Sequence, residues 1–445
     1  MQFLTNKRKL SYWVVWTTLF IPLVGNAQIN EENTLESATL DNIIQYALDH
    51  QPKVQQAQID EEITEQAIKG KLADWYPQIN FNYNYQRNID LQSSVIGGQV
   101  IRFGVNNTSS AQFTATQNIF NKDALLASKT ASKVRMQASQ NTSRSKIDVV
   151  VDVTKAVYDV LATTEQIKVS EESILRLQQS LQDAHNRYVS GVSDKTDYQR
   201  ATILVRNAEA TLKSNSESLI YKKEYLKALM GYPQGQDFSL EYDQELMESQ
   251  VTLEVKEQVN HSNHIDYQII QTQRELQEAN LKYSQWAFLP SVNLFGAYNL
   301  NYQNNKFNDL YGTRYPYSYV GATLSIPLFQ GGRRLAKVQE EKWVSSRLDL
   351  SLTNLENNLN TAYARAMASY KSNLAMYLAH KENVELAQEV YDIIQLQYTN
   401  GVKSYLDVTT SESELRTTRI NYFNALYLVL ASKVDVQNAL GQINY

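Results

Sequence analysis

Residues equipped for chemistry are few in this chain and widely scattered. His261 and His264 stand three apart, a spacing at which two imidazoles on one helix face share a metal ion. No third histidine and no carboxylate cluster accompanies them, so they read as surface histidines, and no metal site is expected. His380 falls near a run of regularly spaced tyrosines and reads as a packed or bridging polar residue. Asp60-Glu61-Glu62 reads as a solvated helix face. The sequence has no Gly-x-x-x-x-Gly-Lys loop, no His-Glu-x-x-His and no Gly-x-Ser-x-Gly. Neither catalysis nor a cofactor is expected. Two short motifs remain: Tyr188-Val-Ser-Gly191-Val192 followed by Asp197, and Tyr398-Thr-Asn-Gly401-Val402 followed by Asp407. Taken alone, a glycine after one helix and an aspartate early in the next is capping chemistry.

These two motifs lie 210 residues apart, and other pairs keep the same order. Leu229-Met230-Gly231 matches Ala439-Leu440-Gly441 at 210, Ile119-Phe120-Asn121 matches Leu328-Phe329-Gln330 at 209, and Trp75-Tyr76-Pro77 matches Phe288-Leu289-Pro290 at 213. The chain therefore reads as one unit written twice. The first repeat covers 28–231, with a helix, a strand pair within 77–120, a long helix over 122–189 and a helix over 194–230. A linker follows at 232–251. The second repeat covers 252–445, with a helix, a strand pair within 290–329, a long helix over 333–399 and a helix over 404–440. The opening helix of each half is expected to run about 36 residues, over 39–74 and 252–287.

The long helices carry a seven-residue recurrence. Val153, Val160, Ile167, Ile174, Leu181 and Tyr188 form one series, and Tyr363, Tyr370, Tyr377, Val384, Tyr391 and Tyr398 form the other. Such a period keeps one seam against a partner helix, as in a coiled coil. A helix of 122–189 is on the order of 100 Å long, and two of the shorter helices stacked end to end would match it.

The strands alternate. Ile79, Phe81, Tyr83 and Tyr85 interleave with Asn80, Asn82, Asn84 and Gln86. The runs are about ten residues, the length a tilted strand needs to cross a bilayer. Their second face is uncharged but polar, which suits a water-filled lumen. Four strands cannot close a barrel, and lipid does not tolerate open edges. Several protomers are required, and three would give twelve strands. The long loops Arg87–Ser110 and Gln303–Tyr317 are expected between paired strands, with Tyr302, Tyr311, Tyr315, Tyr317 and Tyr319 in an aromatic girdle.

Composition narrows the class. Lys7, Arg8 and Lys9, the apolar run Leu10 to Val24 and the small residues at Gly25-Asn26-Ala27 read as a signal peptide over 1–27. Its removal takes three of 42 cationic residues, leaving 39 Lys+Arg against 47 Asp+Glu. That balance gives no support to nucleic-acid binding. The chain has no cysteine, which rules out disulfides and a lipid anchor built on one.

Together with the Leu328-Phe329-Gln-Gly-Gly-Arg-Arg334 junction, the tandem repeat and the two Tyr-x-x-Gly-Val-x-x-x-x-Asp turns make the chain resemble the TolC family of outer-membrane efflux proteins. The resemblance covers essentially the whole mature sequence. It implies a mainly helical fold with a membrane β-barrel portion: long coiled-coil helices in a periplasmic α-barrel, and four strands per protomer in a twelve-stranded trimeric β-barrel. It implies a passive outer-membrane channel-tunnel of a tripartite efflux or type I secretion system, with a large periplasmic portion. Its partners would be two further copies in a homotrimer, outer-membrane lipid, a periplasmic adaptor (membrane fusion protein) and, through that adaptor, an inner-membrane transporter. It places Gly191, Val192, Ser193, Gly401, Val402 and Lys403 at the adaptor-contact tips. It also implies an aperture in which Asp197 and Tyr398 pair with Lys403, while Asp407 projects into the pore. The family's basic gate residue is often arginine, and lysine loses its bidentate pairing. Thr410 stands where a second acidic ring is expected. The reading from another class is a periplasmic coiled-coil scaffold or adaptor without a membrane barrel.

Overall fold

The computed structural model describes residues 37–253 and 260–445. The signal peptide expected at 1–27 lies outside the described residues. The first helix is not continuous: α1 (Leu40–His50) gives way to α2 (Pro52–Leu72). The expected single helix over 39–74 is thus corrected. Proline lacks the N–H and crowds the residue before it, so Gln51 turns extended, at φ −66° and ψ 122°. In the second half, the helix expected over 252–287 is described from Ile265 to Trp286. Residues 254–259 are outside the described residues. A 3-10 turn, His261–Asn263, follows Asn260, whose side chain accepts from Ser262 N at 3.2 Å. His264 then caps α6 (Ile265–Trp286) by accepting from Asp266 N at 3.2 Å.

Two long helices dominate. α3 (Lys122–Val189) has 68 residues and α7 (Arg333–Thr399) has 67. At 1.5 Å per residue each is about 100 Å long. Each turns at a glycine into a return helix, α4 (Lys195–Met230) after α3 and α8 (Tyr405–Ala439) after α7. The return helices end at Gly231 and Gly441, both with positive φ. A Cβ at Gly231 would fall 2.5 Å from the His50 carbonyl oxygen, and one at Gly441 2.8 Å from that of Asn263. So α4 ends on the start of α2 and α8 on the start of α6, giving two stacked rods. The α2/α4 rod packs on α3, α3 packs on the α6/α8 rod, and that rod packs on α7. A short helix, α5 (Gln244–Ser249), lies in the segment between the halves.

Burial follows the seven-residue seam. Val153, Val160 and Ile174 are buried on α3, as are Tyr370, Tyr377 and Tyr398 on α7. Ile174 and Leu177 pack with Val205 and Ala208 of α4. Tyrosines suit α7 because their hydroxyls reach polar groups of the intervening segment. Tyr370 donates to the Val251 carbonyl at 3.0 Å and accepts from Leu253 N at 2.9 Å.

Four strands form one antiparallel sheet in the order β1-β4-β5-β6: β1 (Gln78–Arg87), β4 (Asn107–Phe120), β5 (Ser291–Asn304) and β6 (Arg314–Ser325). The register keeps two faces apart. Phe81 pairs with Phe113 and Phe113 with Tyr298 on one face, and Asn82 with Gln112 and Gln112 with Asn299 on the other. β1 and β6 are edges, each paired on one side only.

Three expectations about the loops are corrected. The stretch between β1 and β4 holds its own hairpin, β2 (Gln92–Ile96) with β3 (Gln99–Phe103), turning through Gly97 and Gly98 at φ 62° and 83°. Successive positive φ angles are what a tight hairpin turn requires, and glycine supplies them at no steric cost. The loop between β5 and β6 is shorter than expected, and β6 stops at Ser325, two residues before Pro327. Tyr315, Tyr317 and Tyr319 are therefore strand residues, opposite Asn301, Asn299 and Ala297 on the polar face, and do not form a girdle. Tyr302 and Tyr311 do cluster, at 5.2 Å between ring centroids, and Tyr311 shares a 2.7 Å hydrogen bond with Tyr83.

Candidate gate at the helical tips

The two tip turns are built alike. After α3, Gly191 N donates to the Tyr188 carbonyl at 3.0 Å and Val192 N to that of Arg187 at 2.9 Å. After α7, Gly401 N donates to the Tyr398 carbonyl at 3.0 Å and Val402 N to that of Gln397 at 2.9 Å. Both glycines are left-handed, at φ 75° and 76°, and both close the last carbonyls of a long helix. Val192 and Val402 are more than 70% exposed. Two apolar side chains are thus held in water at the ends of the two long helices.

Just above these turns all four helices meet. Ala184 of α3, Ala201 of α4, Tyr398 of α7, and Tyr405 and Val408 of α8 form one buried cluster. Tyr398 lies against Tyr405, with centroids 6.1 Å apart and rings nearly edge-on. The Arg187 guanidinium sits 4.5 Å above the Tyr398 ring. Burial raises the Tyr398 pKa, and the nearby Arg187 charge works against that rise. At neutral pH the phenol is un-ionised and the contact is cation on ring.

The expected Lys403 pairing is not made within the chain. Lys403 is exposed, and among the described residues no ion pair joins it to Asp197 or any other side chain. Within the chain the cation beside Tyr398 is Arg187, to which the sequence did not point. Arg187 stands in the last turn of α3, where a cation also complements the helix dipole. Asp407 is committed to a capping box: its carboxylate accepts from Ser404 N at 3.0 Å and Ser404 Oγ at 2.7 Å, while its own N–H donates to Ser404 Oγ at 3.3 Å. Those bonds, with Lys403 nearby, hold its pKa below the usual aspartate value. Asp197 sits in the first turn of α4, behind the Asp194 cap. Thr410 bonds back to the Leu406 carbonyl at 2.9 Å.

Two polar knots higher up were also missed. Glu412 of α8 is 4% exposed; it accepts from Ser173 Oγ at 2.5 Å and Arg176 Nη2 at 3.4 Å. Glu172 of α3 pairs with Arg419 of α8. Near mid-length, Glu248 of α5 accepts from Tyr422 at 2.5 Å, Lys381 at 2.6 Å and Gln244 at 3.0 Å. Burial alone would raise its pKa, but the donors outweigh it and lower it to about 2. No sequence period marks these contacts, because all but Gln244–Glu248 join residues on different helices. His261 and His264 make other contacts. His264 is a helix cap, and His261 bonds Asn360 Oδ1 at 2.9 Å. Among the described residues no group of three His, Asp or Glu is placed to hold a metal, and no helix is long and apolar enough to cross a membrane.

Coiled rods that narrow to an aromatic cluster, below a sheet with one apolar and one polar face, define the protomer of an outer-membrane channel with a long helical tunnel. The model of a family described as outer membrane efflux protein matches residues 43–232 and 261–442, and the chain belongs to that family. It is 21% identical to the outer membrane protein TolC of Escherichia coli (strain K12), over 95% of this chain and 86% of that one. Among solved structures, the Campylobacter jejuni CmeC outer membrane channel is similar with a TM-score of 0.72 at 14% identity, covering 91% of this chain and 85% of that one. The open state of the Neisseria gonorrhoeae MtrE outer membrane channel is similar with a TM-score of 0.70 at 17% identity, covering 90% and 88%. The chain is an outer-membrane efflux channel.

Proposed function

We propose that three copies close around one axis into a passive conduit, which a periplasmic adaptor docks and an inner-membrane transporter feeds. The observation that carries this is the pair of open edges. β1 and β6 each lack a neighbour on one side, and strand edges facing lipid must be paired. Three sheets joined edge to edge give twelve strands. Below them, α7 leaves Leu378, Leu386 and Leu396 more than half exposed, and α4 leaves Ile203, Ile220 and Tyr221 so. The outer face of α7 in one copy and of α4 in the next are then natural partners.

The tips serve as both gate and docking surface. Tyr398, clamped by Arg187 and Tyr405, keeps α7 and α8 gathered against α3 and α4. Asp197 and Lys403 meet across protomers at the aperture, and Asp407 lines it. Gly191, Val192, Ser193, Gly401 and Val402 present the adaptor surface. Adaptor binding at those turns frees the α7–α8 pair to move outward. The two halves, 28–231 and 252–445 around the 232–251 linker, act as two copies of one wall unit. Energy for transport comes from the inner-membrane partner, since the tip holds only a mechanical contact. The test is reconstitution of the detergent-purified protein in planar bilayers. The expected result is a heat-modifiable trimer with small, stable conductance that rises when Arg187 is removed. A soluble monomer that conducts nothing would end the reading and favour the scaffold.

A further inference from the structure

β6 carries three tyrosines on the face where its neighbours carry amides and hydroxyls. Tyr315, Tyr317 and Tyr319 are about half exposed, at 47, 52 and 45%, and their hydroxyls make no hydrogen bond to protein among the described residues. A wetted wall needs only small polar groups, and exposed ring area gains nothing there. No Asp, Glu, Lys, Arg or His lies on that face of the four strands. The Tyr317 and Tyr319 rings are inclined by only 17°, with centroids 6.3 Å apart. Alternate strand positions are about 6.7 Å apart, close to twice the ~3.5 Å at which carbon planes touch. The 6.3 Å between the two rings is about 0.7 Å short of that doubled distance, so the slot between them admits a third ring once they part slightly. One end is fixed by Phe295, edge-on to Tyr319 at 6.1 Å and lying across Gly321, where a Cβ would fall 2.5 Å from its ring. A second observation points the same way. Asn299, paired opposite Tyr317, is 3% exposed, yet its amide nitrogen has no hydrogen-bond partner. A buried donor without an acceptor is costly, and a ligand acceptor would relieve it.

We propose that this stripe binds flat, uncharged aromatic solutes that carry a hydrogen-bond acceptor, and so biases what the conduit passes. The ring enters between Tyr317 and Tyr319, and the acceptor takes the Asn299 amide. The proposal rests on the polar face being the lumen, as argued above.

Caffeine, flat, neutral and rich in acceptors, is the probe, and sucrose is the non-flat control. Saturation-transfer NMR on the detergent-solubilised trimer, with empty micelles subtracted, is expected to show transfer to caffeine and none to sucrose. Tyr317→Thr is expected to weaken caffeine binding about tenfold, in the range for loss of one stacking ring, and Tyr317→Phe to retain it. Asn299→Ser, which shortens the donor but leaves the rings, is expected to weaken it less. Equal caffeine signals in wild type and Tyr317→Thr, or equal signals for caffeine and sucrose, would overturn the site. The same preparations are recorded in planar bilayers. Conducting channels that fail the NMR test sink the slot alone, whereas preparations that never conduct sink the lumen reading and the slot with it.

Discussion

If Tyr398 holds the aperture shut as proposed, the energy involved is small. A cation over a ring contributes about 0.5–1 kcal/mol at exposed sites and ~2 when desolvated, enough to bias a helix pair by several-fold without locking it. Arg187→Ala is expected to raise resting single-channel conductance several-fold, while Arg187→Lys, which keeps the charge but not the flat fork, falls between. Glu248 is a firmer tie. Its pKa is held at about 2, below the unfolded value near 4.3, so its contribution is complete above about pH 4.5 and lost as pH falls toward 2. Thermal unfolding followed by circular dichroism should show Glu248→Gln less stable than wild type by about 2 kcal/mol at neutral pH, with the gap closing through that window. At this scale the sequence was least informative. The motif around Tyr398 was visible, but its partner, Arg187, sits on another helix at no fixed spacing. Lys403, the expected partner, stays exposed.

The helices and strands were far more legible, and for a physical reason. A seam that must face one partner along some 100 Å of rod writes its period into the sequence, and so does a sheet with two unlike faces. What escaped notice were local interruptions. Pro52 breaks a periodic run without disturbing its hydrophobic pattern, and the Gly97-Gly98 hairpin is too short and mixed to announce itself. Tyr315, Tyr317 and Tyr319 lie on the polar face because β6 begins at Arg314 and alternation places them there. The glycines at element ends separate two costs. Gly191 has nothing within 4 Å of its missing side chain, whereas Gly231 meets the His50 carbonyl. Gly191→Ala should cost about 1–2 kcal/mol for the left-handed backbone alone. Gly231→Ala adds a clash with backbone and should cost clearly more, as should Gly441→Ala; melting temperatures of the three variants measure the difference.

For the molecule as a whole, the decisive feature is incompleteness. A single copy leaves two strand edges and long apolar helix faces uncovered, so folding and assembly are expected to be one event. Equilibrium unfolding in denaturant should therefore depend on protein concentration, with no folded monomer detected at any dilution by analytical ultracentrifugation in detergent. A folded, dispersed single chain would contradict this. One structural feature reaches beyond transport. The β2–β3 hairpin leaves the sheet at Arg87, the end of β1 remote from the helices, and pairs only with itself. In the barrel proposed above, that would put Gly97 and Gly98 outside the cell. A foreign peptide spliced between them would leave the wall's register untouched and be displayed on intact bacteria, three per particle, within reach of an antibody.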